Sequence, residues 1–156
     1  MAGVLTVAAY ICGRYEKEFG EKIDEMKLHK LMYFAQRESL IQTDTPLFRA
    51  TFRGWKYGPV LKELREPYRD PSLLPSVSEK DALAMQSVMD VVFAEYAGKD
   101  SMSLSRLTHG EISWKASRKG ISPAQNSDKP MSLGDIRADA RRIRERREML
   151  NNQGLL

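Results

Sequence analysis

The stretch from Asp24 to Gln42, DEMKLHKLMYFAQRESLIQ, constrains the fold more than any other part of the chain. Asp24 has the side chain of a helix N-cap, because a carboxylate accepts from the unpaired amides of a first turn. Leu28, Leu31, Met32, Ala35 and Ser39 then recur at helical spacing. From Leu31 to Ala35 every residue is apolar, Tyr33 and Phe34 included, so more than one face needs covering. Lys27, Lys30 and Arg37 leave only a narrow polar stripe. A helix that is apolar on most sides belongs in the interior of a domain. The sequence therefore predicts a central helix with the rest of the chain wrapped around it.

The length of 156 residues suits one domain, residues 1–156, that buries its core without staples. A single cysteine rules out an internal disulfide framework and a cysteine-based zinc site, and fits a reducing cytosol. Cys12 reads as inert filler on the apolar side of the first helix. The opening MAGVLTVAAYIC has no Lys or Arg before it, and Gly13-Arg14 ends it too early to span a bilayer. The expectation is a soluble, cytoplasmic chain without a membrane partner. The net charge of +4 permits an acidic or nucleic-acid partner without demanding one.

In chain order, the first helix is expected over about Gly3–Glu18, with Gly20 as its stop. After the central helix, Thr43–Pro46 turns the chain. Phe48, Ala50 and Phe52 alternate with Arg49, Thr51 and Arg53, the pattern of one short half-exposed strand. Pro59 suits the first position of a helix continuing to Tyr68. Ser78 with Asp81 caps a long fourth helix whose buried stripe is Ala82, Met85, Met89, Val92, Phe93 and Tyr96. Short helices are expected over Ser101–Leu107, capped by Ser101 or Ser103, and over Trp114–Arg118. Residues Ile121–Met131 are polar and turn-rich and are expected to form a mobile loop. A last helix, about 132–150, packs on the domain through Leu133, Ile136, Ala140 and Ile143. The fold class is mainly α, a single compact multi-helix domain with at most a short β-strand pair.

Chemistry is sparse. There is no phosphate loop, dinucleotide fingerprint or metal-ligand spacing, so no cofactor and no metal is expected. The best catalytic candidate is His109 with Glu111, a base held by a carboxylate. Against it, a histidine at this place ends a helix, bonds its free carbonyls and packs on Trp114; that reading is preferred, and no catalytic residue is assigned. The arginine-rich C-terminal helix, with Arg137, Arg141 and Arg144, offers a nucleic-acid footprint or a face for an acidic partner protein. Asp135, Asp139, Glu145 and Glu148 interleave at ion-pair spacings, which favours a solvated face over nucleic acid. Phe48, Phe52, Trp55, Tyr57 and Trp114 suit either core or interface; Trp55 and Trp114 are read as core and Tyr57 is left open.

Three segments together resemble one family. Lys30-Leu31-Met32-Tyr33-Phe34-Ala35 is similar to its "KLLYFA" helix. Phe48 followed by Trp55-Lys56-Tyr57-Gly58-Pro59-Val60 is similar to its "AW-x-YGPV" turn, and Leu107-Thr108-His109-x-Glu111-x-x-Trp114 to its "LTH-x-E-x-PW" segment. The order and spacing resemble the Panacea antitoxin domain family, also called phage-associated or GepA-like. Gly54 stands where that family commonly has alanine, and Ser113 where it commonly has proline. The resemblance implies an antitoxin, encoded beside a toxin that it neutralises by direct binding. One known type in the family is an adaptor that delivers its toxin to a AAA+ protease, so that alternative stays open beside a DNA-binding regulator. The motif residues Lys30, Leu31, Tyr33, Phe34, Trp55, Tyr57, Gly58, Pro59, Thr108, His109, Glu111 and Trp114 are expected to be mainly structural. Tyr57, Arg137, Arg141 and Arg144 are the candidate partner contacts.

Overall fold

Helix boundaries in the computed structural model, which describes residues 1–154, fall at side chains suited to end them. Helix α1, Val4–Phe19, stops where Gly20 turns left-handed at φ 74°. Helix α2, Glu25–Thr43, opens with the Asp24 carboxylate accepting from the Lys27 amide at 2.8 Å. Strands β1, Arg53–Trp55, and β2, Gly58–Val60, form an antiparallel hairpin closed by Lys56 and Tyr57. A 3-10 turn over Lys62–Leu64 leads into α3, Arg65–Arg69, and a second over Pro71–Leu73 follows. Helix α4, Glu79–Val92, is capped by Ser78 and widens into a π-helical turn over Phe93–Ala97. Helices α5, Ser101–His109, and α6, Ile112–Ser117, precede α7, Leu133–Asn152, whose cap is Ser132. The protein is mainly α, with one two-stranded sheet among the described residues.

Helix α2 is central to a degree the sequence understates. All its residues from Lys27 to Ile41 are buried, with α1, α4, α5, α7 and the hairpin packed around it. The polar stripe expected on it is not a solvent face: Lys27, Lys30 and Arg37 are 6%, 1% and 3% exposed. Buried polar groups must be bonded or they cost stability, and here each ties down a neighbour. Lys27 Nζ donates to the Tyr15 hydroxyl and the Ala97 carbonyl, both at 3.1 Å. Gln36 accepts the amides of Leu47 and Phe48 and donates to the Phe48 carbonyl at 2.9 Å.

That glutamine explains the first departure from expectation. Phe48 and Phe52 are buried as their alternation requires, but the strand begins only at Arg53. Gln36 supplies the bonds that a neighbouring strand would otherwise give. A second departure concerns Pro59, which lies in β2 and not at a helix start. It pairs with Gly54 in the register position between the two hydrogen-bonded pairs, where no amide is needed. The Gly54 amide faces outward there and donates to the Lys129 carbonyl at 2.9 Å.

Smaller differences follow the same logic. The cap of α5 is Asp100, which accepts from the Ser103 amide and hydroxyl, while Ser101 donates to the Asp24 carboxylate. The segment 121–131 is strapped along β1: the Met131 amide bonds the Phe52 carbonyl at 2.8 Å, and Arg118 binds the carbonyls of Gly54, Ser122 and Gln125. Leu133 is exposed, leaving Ile136 and Ala140 as the buried anchors of α7.

Candidate functional site

The three motif segments meet at one place, where α2, the hairpin and α5–α6 converge. Lys30 Nζ donates to the Pro59 carbonyl at 3.2 Å. Ser105 donates to the Tyr57 carbonyl at 2.6 Å, and the Trp114 indole donates to the Trp55 carbonyl at 2.8 Å. Gly58 sits at φ 114°, and a side chain there would lie 2.6 Å from Thr108 Oγ1 and 2.7 Å from Lys30 Cε. Only glycine accepts that backbone angle and that closeness. Trp55 and Trp114 are half-buried, whereas Tyr57, at the hairpin tip, is 48% exposed.

Burial costs an ammonium its hydration, and Lys30 is lowered to about 7, with Asp24 and Glu25 pulling the other way. Its unfolded chain therefore holds a proton between about 7 and 10.5 that the folded chain has released, so stability rises with pH in that window. Between pH 7.5 and 9 the expected gain is about 2 kcal/mol from one proton. Chemical denaturation across that range checks it, and Lys30→Met should lack the rise.

His109 and Glu111 do not form the acid–base pair that the catalytic reading required. The His109 ring stacks on Trp114, centroids 4.0 Å apart and 13° from parallel, and burial lowers its pKa. Glu111 is 3% exposed and pairs with Arg37, whose other nitrogen donates to the Tyr96 hydroxyl at 2.6 Å. Burial and the neighbouring Asp139 carboxyl push Glu111 up to about 7 against the pull of Arg37.

Asp139 carries a role the sequence reading missed. It is fully buried and accepts from the Ile112 amide at 2.6 Å, the Ser113 amide at 3.1 Å and the Tyr33 hydroxyl at 2.9 Å. It thereby caps α6 from another helix, since Glu111 at the N-cap position makes no such bond. The signal was present: Asp139 falls on the Ile136, Ala140, Ile143 stripe, among apolar neighbours. His29 was missed too. Its Nδ1 accepts from the Leu61 amide at 3.1 Å and its Nε2 faces Glu25 at 3.2 Å, while burial holds it neutral by lowering it to about 4.

The arginines of α7 divide. Arg137 donates to the Asp44 carbonyl and carboxylate, both at 2.8 Å, and Arg144 to the carbonyls of Leu40 and Ile41. These carbonyls lie at the end of α2, where cations are favoured, and that of Leu40 also accepts the Asp44 amide at 3.0 Å. Arg147 grips the Glu38 carboxylate with two nitrogens at 2.9 and 2.8 Å. Arg141 and Arg146 face solvent.

Beside the hairpin lies a groove of about 500 Å³, lined by Met26, His29, Lys30, Trp55, Tyr57 and Arg65 among others. Its lining joins the apolar and aromatic Met26, Trp55, Tyr57 and Val60 to the charged Glu25, Lys56 and Arg65. A family model described as "Antitoxin SocA-like, Panacea domain" matches residues 28–115, which hold all three motif segments. The chain belongs to this Panacea domain family. No curated protein and no solved structure matches the chain.

Membership gives meaning to two residues that depart from the common Panacea pattern. An alanine side chain at Gly54 would lie 2.0 Å from Ser117 Oγ and 2.9 Å from its Cβ, so glycine is required while Ser117 stands there. Ser113 has an amide that proline would lack, and that amide donates to Asp139. No helix among the described residues is long and apolar enough to cross a membrane.

Proposed function

We propose that this chain is an antitoxin that neutralises a toxin by direct protein–protein binding in the cytoplasm. The observation that carries the reading is the Panacea match over residues 28–115, the stretch that builds the hairpin, most of the groove beside it and the Thr108–Trp114 support. The physical arrangement agrees with a binding role. Tyr57 projects from a hairpin tip held by bonds to its own and neighbouring carbonyls, and a rigid exposed aromatic binds with little loss of conformational freedom. His109 and Glu111 are each committed to a structural neighbour, which favours binding over catalysis.

The test is co-expression with the protein encoded beside it. Growth should be rescued from that toxin, and toxin half-life in cells should stay unchanged or lengthen. A toxin lifetime shortened by this chain would instead favour the adaptor form of the same activity. No rescue at equal expression would refute neutralisation.

A further inference from the structure

Lys30 is an unusual residue to find facing a groove. It is 1% exposed yet lies among the groove's lining residues. An ammonium has three donors, and Lys30 Nζ makes one protein hydrogen bond, to the Pro59 carbonyl. The neighbouring carboxylate of Glu25 is already held by His29 Nε2 at 3.2 Å and Arg65 Nε at 3.1 Å. Lys56 Nζ stands over the Tyr57 ring at 5.1 Å, and the Arg65 guanidinium over the Trp55 ring at 5.2 Å. The lining thus sets Lys56, Arg65 and, when protonated, Lys30 against the single anion Glu25, with Met26, Trp55, Tyr57 and Val60 as apolar walls.

We infer that this groove is the toxin-docking site and that it takes an acidic side chain of the toxin, its carboxylate against Lys30 and an adjacent apolar residue between Trp55 and Tyr57. The inference rests on the antitoxin reading and adds the place and chemistry of contact. A carboxylate entering here supplies the partner that a buried ammonium lacks, and a charge-assisted bond in a desolvated site is strong. The contact also restores the charged state that burial alone disfavours in Lys30. The surrounding titratable groups are Asp24 and Glu25 from the start of α2, His29 one residue away, and His109 from α5.

The experiment measures affinity for the toxin encoded beside the chain by titration calorimetry, with full-length variants whose melting is checked first. Lys30→Met should weaken binding about 10-fold or more, the usual effect of losing a bond to a charged group. Since that change also frees the Pro59 carbonyl, an exposed pair of variants decides the matter. Tyr57→Glu places a negative charge at the groove mouth and should weaken binding at least 10-fold, as like charges at an interface do. Tyr57→Lys should retain clearly more affinity than Tyr57→Glu. Equal affinities for both variants and the native chain would overturn the groove as docking site, and a preference for Tyr57→Glu would overturn an acidic occupant. If the native chain itself does not bind, the antitoxin reading fails and this inference with it; binding by the native chain with no sensitivity at Lys30 or Tyr57 removes the inference alone.

Discussion

Gly58→Ala is expected to destabilise the protein by about 2–6 kcal/mol, the sum of two separate penalties. A non-glycine residue held at φ 114° costs about 1–3 kcal/mol in backbone strain. Overpacking adds about 1–3 kcal/mol, because the new methyl would sit 2.6 Å from Thr108 Oγ1 and 2.7 Å from Lys30 Cε. Neither neighbour moves freely: Thr108 donates to the Ser105 carbonyl at 2.7 Å, and Lys30 is tethered to Pro59. Folded domains of this size have about 5–15 kcal/mol in hand, so the variant should lose a large part of its margin. Urea denaturation reads the effect directly. Adding Thr108→Ala should recover part of the packing penalty and none of the strain; an unchanged midpoint for Gly58→Ala would show that the hairpin is not locked against α2 and α5.

Arg37→Met should cost a similar amount, about 3–5 kcal/mol, because it strands a buried carboxylate. Glu111 then keeps only Arg142, 3.5 Å away and half exposed. The sign of the pH dependence follows from Glu111. It is already raised to about 7 from an ordinary 4.5, and removing Arg37 takes away the influence that lowers it. The folded variant holds a proton that the unfolded chain releases, so its stability is greatest below about 4.5 and falls as pH rises through the folded value. Denaturation at pH 5 and pH 8 should show the larger deficit at pH 8. Glu111→Gln in the Arg37→Met background should restore much of the loss. A pH-independent deficit, or no rescue, would mean that the cost comes from the packing of Arg37 on the Phe34 ring, 4.9 Å away.

What was legible in the sequence was local. Asp24, Ser78, Ser132 and Gly20 mark their helix ends through bonds within three or four residues, and all four stand where their residue types required. The apolar run of α2 announced a central helix. What was hidden depends on residues far apart in the chain. Pro59 fits a helix start by local rules, and only pairing with Gly54 and the bond from Lys30 make it a strand residue. Gln36 replaces a strand partner for Leu47 and Phe48, which no alternation pattern can express.

The candidate site divides the same way. The motif residues were identifiable as a set, but their convergence on Gly58 requires the fold. Lysine is almost never fully buried unless paired, so Lys30 was assigned to a polar stripe and not to the lining of a groove. Met26, His29 and Arg65 carried no local signal at all. The arginines of α7 looked like a uniform charged face, yet Arg137 and Arg144 close the C-terminus of α2 while Arg141 remains exposed.

As proposed here, the Panacea scaffold of this chain works by holding another protein. Sizing chromatography with light scattering, on this chain mixed with the purified product of the adjacent reading frame, is the most direct check. A single co-eluting species is expected, whose mass is a sum of the two proteins in a fixed ratio. Two separate peaks at the masses of the free proteins, at micromolar concentration and low salt, would contradict it.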